Sequence, residues 1–277
     1  MRKFLALTLA ALMMLALMTG CNQAQQAPEN GDQAAADESL TRIKTNGKFI
    51  LGFDEGFPPM GFVDESGKHV GFDLDVAGEV AKRLGVELVL QPIVWGSNIS
   101  ELDSYNVDCL WNGMTITDER KEKILFSDPY LENEQVLVVM NDSGFNTLDD
   151  LKGKKLGIQA GSSAEIALDS KPEFKAALGD VVSFKDNLEA FMAFEAGGID
   201  VVLVDSIVAG YNISVSGKPY RMLEEPLANE LFGIGFRKSD VALCDAVNET
   251  LKEMASDGTL ARISTEWFSK DITIIGK

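Results

Sequence analysis

The chain has 277 residues, 45% of them hydrophobic and 25% charged, which is enough for one large or two medium globular domains. A formal net charge of -18 argues against binding nucleic acid and against adhesion of the protein surface to anionic lipid. With one histidine, three cysteines, no Gly-rich phosphate loop after a strand and no G-x-S-x-G, the sequence offers no metal-ligand cluster, no Cys–His nucleophile pair and no cofactor motif.

In chain order, Met1-Arg2-Lys3 is basic, and Phe4 to Met18 is a mostly apolar run. That run suits a signal-peptide core and is short of the roughly 20 residues that span a bilayer. It ends in Met18-Thr19-Gly20-Cys21, which resembles a bacterial lipobox with Met in the place where Leu is usual. The resemblance implies a signal peptide at 1–20, cleavage before Cys21 and lipidation of its thiol; the alternative is an ordinary secretory signal with an incidental cysteine. Cleavage removes Arg2 and Lys3 and takes the net charge from -18 to -20. Residues 21–40 are polar, rich in Ala and Gln and free of aromatics, and read as a flexible tether from the anchor.

Globular sequence starts at Thr41. Lys48–Phe53 reads as a strand, and Phe57-Pro58-Pro59-Met60 as an extended loop, because each proline restricts the residue before it. Leu74, Val76, Ala77, Val80, Ala81 and Leu84 recur at helical spacing up to Gly85. Val86–Val94 is the next strand, ending at Trp95-Gly96, and a short helix over Asn98–Tyr105 follows. The next strand starts at Val107, breaks at Asn112-Gly113 and resumes through Thr115. Thr117 or Asp118 then caps a short helix that carries Arg120. Gly113 permits close backbone approach to a ligand, and Arg120 is the residue type best suited to bidentate capture of a carboxylate. The alternation of strands and helices predicts a parallel sheet with ligands beyond the carboxyl ends of its strands. Asp54, Phe57, Trp95, Gly113 and Thr115 all follow such ends.

After the break at Pro129, Glu134–Met140 is a strand and a second α/β series begins. Its strands are Lys155–Gln159, Val181–Phe184 and Ile199–Val204, the last ending at Asp205. Ser162 or Ser163 starts a helix whose backbone N–H groups serve either as an anion site or simply as a capped end. Leu231–Phe236 is a late strand, and two helices close the chain. Cys244 lies on an apolar helical stripe, which favours a buried thiol over a disulfide with Cys109.

Together these segments resemble the family 3 extracellular solute-binding proteins of amino-acid ABC transporters. The resemblance is carried by Asp54–Phe62 (DEGFPPMGF), Gly71–Asp75 (GFDLD), Thr115–Arg120 (TITDER), Phe126–Tyr130 (FSDPY), Gln159–Ser163 (QAGSS) and Asp200–Asp205 (DVVLVD). It implies an α/β, two-lobed periplasmic-binding-protein-like fold with two crossing hinge strands. Lobe 1 would comprise 41–130 and 231–277, and lobe 2 would comprise 131–230. It also implies a non-enzymatic, monomeric protein without cofactor or metal. Such a protein is exported and held on a membrane by its lipid, binds a free amino acid and passes it to a permease and ATPase. Arg120 would grip the α-carboxylate, Gly113 and Thr115 would bind the ammonium and carboxylate, and Asp205 would pair the ammonium. Phe57 and Trp95 would wall the side chain, and Ser163 would give a second carboxylate donor. Gln159 replaces the Lys of glutamine-binding members, and Trp111 and Asn112 replace small residues, which implies a bulkier pocket floor. Asp54 and Glu55 at the mouth favour a neutral polar or cationic side chain over glutamate or aspartate. The rival readings are an enzyme resembling cyclohexadienyl dehydratase, with Glu55, Glu101 or Glu132 as proton donor, and a ligand sensor.

Overall fold

A computed structural model describes residues 37–277. The expected signal peptide, the lipidation site Cys21 and the tether as far as residue 36 lie outside the described residues. The last part of the expected tether is ordered chain. Helix α1 spans Ser39–Asn46 and buries Ser39 and Ile43. The Asp37 carboxylate accepts the Ala242 N–H, and the Ser39 hydroxyl accepts the Leu243 N–H at 3.0 Å. These are donors that the first turn of a later helix, Val241–Ser256, cannot satisfy within itself. Two polar residues that read as linker therefore cap a distant element.

The chain continues through β1 (Lys48–Phe53), β2 (Gly56–Phe57), β3 (Gly61–Val63), β4 (His69–Val70), α2 (Phe72–Leu84), β5 (Glu87–Pro92) and α3 (Asn98–Asp103). It then forms β6 (Cys109–Thr115), α4 (Asp118–Lys123), β7 (Leu125–Phe126) and β8 (Leu131–Met140). The second series is β9 (Lys155–Gln159), α5 (Ser163–Asp169), α6 (Pro172–Ala177), β10 (Asp180–Phe184), α7 (Asn187–Glu195), β11 (Val201–Asp205), α8 (Ser206–Ser216) and β12 (Tyr220–Met222). The chain ends with β13 (Ala228–Phe236), α9 (Val241–Ser256) and α10 (Thr259–Phe268). The Phe57–Met60 stretch contains a cis Pro58–Pro59 bond and lies between strands of a small antiparallel sheet, β2-β3-β4.

The main sheet has the order β10-β9-β11-β8-β13-β6-β1-β5. Its two ends are parallel, as expected: β5 and β6 flank β1 on one side, and β10 and β11 flank β9 on the other. The expectation of a wholly parallel sheet fails at the centre. There β8 and β13 run antiparallel to each other, and each runs antiparallel to its outer neighbour, β11 or β6. These two strands cross between the series, and both are longer than their apolar parts alone suggested. The result is a two-lobed α/β fold with two crossing strands. In one end of the sheet, α2 packs with α9 and α10 around Phe49, Leu51, Phe72, Val80, Val247 and Leu251. In the other, α5 covers Leu156, Ile158, Val201 and Leu203.

Two backbone hydrogen bonds fix the first site loop. The Phe72 and Asp73 N–H groups at the start of α2 donate to the carbonyls of Pro59 and Met60, at 2.9 and 3.0 Å. Gly71 turns with φ 152° so that the loop can lie this close, and a Cβ there would stand 2.2 Å from the Met60 carbonyl oxygen. Gly71→Ala should therefore lower stability by about 2–3 kcal/mol, read as a fall in the urea midpoint. An unchanged midpoint would show that the loop can move aside without cost.

Candidate functional site

The carboxyl ends of five strands meet at one place. Phe57 follows β1, Trp95 follows β5, Thr115 ends β6, Gln159 ends β9 and Asp205 ends β11. Phe57, Trp95, Gly113, Thr115, Arg120, Gln159, Ser162, Ser163 and Asp205 line a single hollow, together with Asn112. Asp54 stands just outside it, in an adjoining groove that Trp95 shares. The sides of the hollow lie against each other. About 10 Å³ remains between them, room for one water at most. A Cβ on Gly161 would lie 2.9 Å from the Cα of Gly96, so the two sides touch backbone to backbone there.

Arg120 is held by its helix. The Thr117 hydroxyl caps α4 by accepting the Arg120 N–H at 3.2 Å, which settles the choice between Thr117 and Asp118. Arg120 is 7% exposed. Its Nη1 donates to the Thr115 carbonyl at 2.9 Å, and its Nη2 donates across the hollow to the Gly161 carbonyl at 3.2 Å. Burial pulls its pKa below the usual value, while the charges of Glu230 and Asp205 oppose that shift. No ion pair among the described residues includes Arg120, Asp205 or Glu230. A buried guanidinium with carbonyl partners and no carboxylate has capacity for an anion.

Asp205 faces it from the second series. Burial raises its pKa first, the charge of Glu230 raises it further, and the Asn133 amide works in the opposite direction. Asn133, Gln135 and Glu230 were not singled out in the sequence. Asn133 and Gln135 sit on β8 and Glu230 on β13, where Glu230 lies opposite Asn133 in the register of the crossing pair. The Thr115 hydroxyl donates to Glu230 Oε2 at 2.9 Å and lies 2.9 Å from Ser163 Oγ. The crossing strands thus form the floor, and their amides connect both sides.

Other expected residues take different roles. Asp54 uses one carboxylate oxygen on the Gly56 N–H at 2.8 Å and the other on the Gln159 amide, so it braces Gln159 from behind. Burial raises its pKa. Ser162 turns its hydroxyl back to the Gln159 carbonyl at 2.8 Å, and only Ser163 offers its side chain to the centre. Trp111 and Asn112, expected at the pocket floor, part ways. Asn112 lines the hollow, but strand alternation turns Trp111 away to pack against Tyr130. The three carboxylates considered as proton donors stand elsewhere. Glu55 pairs His69 at 3.3 Å on the surface, Glu101 accepts from Asn106 at 2.6 Å, and Glu132 points outward from β8. Cys109 and Cys244 are both free, buried thiols, the latter pushed up to about 12 by burial.

Beneath the hollow lies Asp73, fully buried in the first turn of α2. One of its oxygens accepts the Gly113 N–H at 2.7 Å and the Tyr130 hydroxyl at 2.9 Å. Gly113, at φ 60°, presses against Phe57 and Phe232. Asp73 therefore ties the site loop to the start of the first crossing strand. Burial raises its pKa to about 7, against the pull of these two donors. Among the described residues no group of three His, Cys, Asp or Glu could hold a metal, and no helix is long and apolar enough to cross a membrane.

Paired parallel ends, crossing strands and a polar hollow between them define the class of two-lobed solute-binding proteins. The chain belongs to the bacterial extracellular solute-binding proteins, family 3, which it matches over residues 49–270. It is 35% identical over 241 residues to an L-cystine-binding protein of Escherichia coli, covering 86% of this chain and 89% of that one. A substrate-binding protein of an ABC uptake transporter from Streptococcus pneumoniae, solved with bound histidine, superposes with a TM-score of 0.83 at 35% identity, over 86% of this chain and 98% of that one. An ancestral amino-acid-binding protein described as a precursor of cyclohexadienyl dehydratase superposes with a TM-score of 0.76 at 33% identity, over 83% and 99%.

The raised pKa of Asp73 has a consequence for stability. Between its unfolded value of 3.8 and its folded value of about 7, the folded chain holds a proton that the unfolded chain has lost. Its contribution is complete below 3.8 and is lost as pH rises toward 7. Asp205 adds a fall of the same sign. Asp73→Asn should remove one proton's share of the slope, at most about 1.4 kcal/mol per pH unit. Urea unfolding of parent and variant from pH 4.5 to 7.5 measures this. Parallel curves would show that Asp73 is ionised throughout.

Proposed function

We propose that the chain is an exported amino-acid-binding protein that captures a free amino acid between its lobes and delivers it to the permease and ATPase of an ABC transporter. The observation that carries this reading is the opposition of Arg120 and Asp205 across a closed, buried hollow. A zwitterion needs one fixed cation and one fixed anion, and in a dry cleft both make charge-assisted bonds. Phe57 and Trp95 close over the remaining space and would flank the side chain. Lobe 1 is 41–130 with 231–277, and lobe 2 is 131–230. The hinges lie in β8 and β13, where Leu131–Gln135 pairs with Ala228–Phe232. Closure of two domains about such strands is a common mode of ligand capture.

The side chain bound is neutral and polar, or cationic. The residues lining the hollow hold one guanidinium, which the α-carboxylate takes, and the ionisable groups beside it, Asp54, Asp205 and Glu230, offer a second carboxylate no cation. The relative named for cystine and the structure solved with bound histidine fit this class. The protein binds without turnover: Glu55, Glu101 and Glu132 are all turned away from the hollow. It acts as a monomer, held to the outer face of a membrane by lipid on Cys21.

Calorimetric titration with L-arginine, L-glutamine, L-histidine and L-cystine tests the clamp. The parent should bind at least one of them. Arg120→Ala and Asp205→Ala should each lose roughly 30-fold or more in affinity with the fold intact by circular dichroism. A variant that binds like the parent would remove its residue from the site.

A further inference from the structure

Glu230 has no place in a clamp of one cation and one anion, and it lines the neighbouring groove with Thr115 and Asn133, yet it is bonded to two side chains that line the hollow, Thr115 and Ser163. Its Oε2 accepts from Thr115 Oγ1 at 2.9 Å, from Asn133 Nδ2 and Gln135 Nε2 at 3.0 Å each, and from Ser163 Oγ at 3.3 Å. Two of these donors are shared. Asn133 Nδ2 also donates to Asp205 Oδ1 at 2.7 Å, and Gln135 Nε2 does so at 2.9 Å. The two carboxylates are thus held around the same pair of nitrogens. Neutral amides can orient two carboxylates but cannot cancel their charge, and like charges this close in a buried site repel. Gln135 is completely buried, and its side-chain carbonyl oxygen has no hydrogen-bond partner among the described residues. That oxygen belongs to the same amide whose nitrogen bridges the carboxylates. Asp205 Oδ1 and Glu230 Oε2 therefore both lie within 3.0 Å of the same two amide nitrogens, and Gln135 Oε1, on one of those amides, is a third acceptor without a donor. A primary ammonium has three N–H donors and a full positive charge on one atom.

We propose that Glu230 is the second anion of an ammonium site, and that Asp205, Glu230 and the Gln135 carbonyl together accept the three N–H bonds of the ligand's α-ammonium. This rests on the amino-acid-binding reading above. It makes both crossing strands part of the site, since Gln135 lies on β8 and Glu230 on β13. Ammonium capture then ties together the two strands about which the lobes turn.

The test compares the parent with Glu230→Gln, which keeps the shape, and with Glu132→Gln, an outward change of equal charge on β8. Each is titrated with L-arginine, L-glutamine, L-histidine and L-cystine. The desamino counterpart of each amino acid that the parent binds is then measured by competition. Ligand-free melting curves establish that the variants are folded. Glu230→Gln should lose about tenfold or more for the amino acid but no more than about twofold for the desamino form, and Glu132→Gln should change neither. The proposal is overturned if Glu230→Gln binds within twofold of the parent, if it loses equally for both forms, or if Glu132→Gln loses as much. A parent that binds none of the four amino acids overturns the binding reading itself, and this inference with it. A parent that binds while Glu230→Gln behaves like it overturns only this inference.

Discussion

A buried arginine, Arg120, whose guanidinium is bonded to two backbone carbonyls sets the terms for the centre of this protein. Taking such a group out of water costs several kcal/mol unless hydrogen bonds and an opposite charge offset it. The carbonyls of Thr115 and Gly161 meet part of the requirement, and they come from opposite sides of the hollow. Arg120 therefore links the two sides mechanically while its charge remains available to an anion. The short helix α4, capped by Thr117, fixes where the side chain starts, and β6 fixes where the helix starts. The sequence from Cys109 to Arg120 builds this as one local unit.

The rest of the site follows from topology. Parallel strands deliver their loops at their carboxyl ends, and each half of the sheet does so toward the other. The antiparallel centre makes that possible, because β8 and β13 carry the chain between halves while keeping the sheet continuous. Their polar segments, Glu132–Gln135 and Asn229–Glu230, lie where the halves meet. Each strand has a polar start and a buried remainder, which places amides and a carboxylate at this junction. Asp73 adds a second tie below, from α2 to the Gly113 loop and Tyr130.

Much of this could be read from the residues. The β1, β5 and β6 ends were visible as apolar runs closed by turn residues, which brought Phe57, Trp95, Gly113, Thr115 and Arg120 together correctly. In the second series the residues show only a strand ending at Asp205 and a helix opening at Ser162 or Ser163; the family resemblance is what implies Asp205 and Ser163 as site residues. The crossing-strand residues escape a sequence reading because the apolar runs start only near Glu134 and Leu231, inside strands that begin at Leu131 and Ala228. The signal was present in Leu131–Gln135, where burial alternates and the inward positions are Asn133 and Gln135. Amides on an inward face read as strand ends unless the strand is known to cross a polar floor. Trp111 was misplaced for a related reason, since period-two alternation sends neighbours to opposite faces. Helix α8 was missed because its apolar residues are spread around it, leaving no stripe at helical spacing. Ser39 and Asp37 looked like tether because capping a helix some 200 residues away leaves no local pattern.

The central claim is that both charged ends of a free amino acid are held, the carboxylate by Arg120 and the ammonium by the acidic side of the hollow. The most direct measurement is calorimetry of the parent protein with L-arginine, L-glutamine, L-histidine and L-cystine beside their N-acetyl and carboxamide derivatives. At least one free amino acid should bind, and both of its blocked forms should be weaker by about a hundredfold or more, the loss of one buried charge pair in each case. A blocked form that binds as tightly as the free amino acid would contradict the account, because the end it lacks could not be the one the site grips.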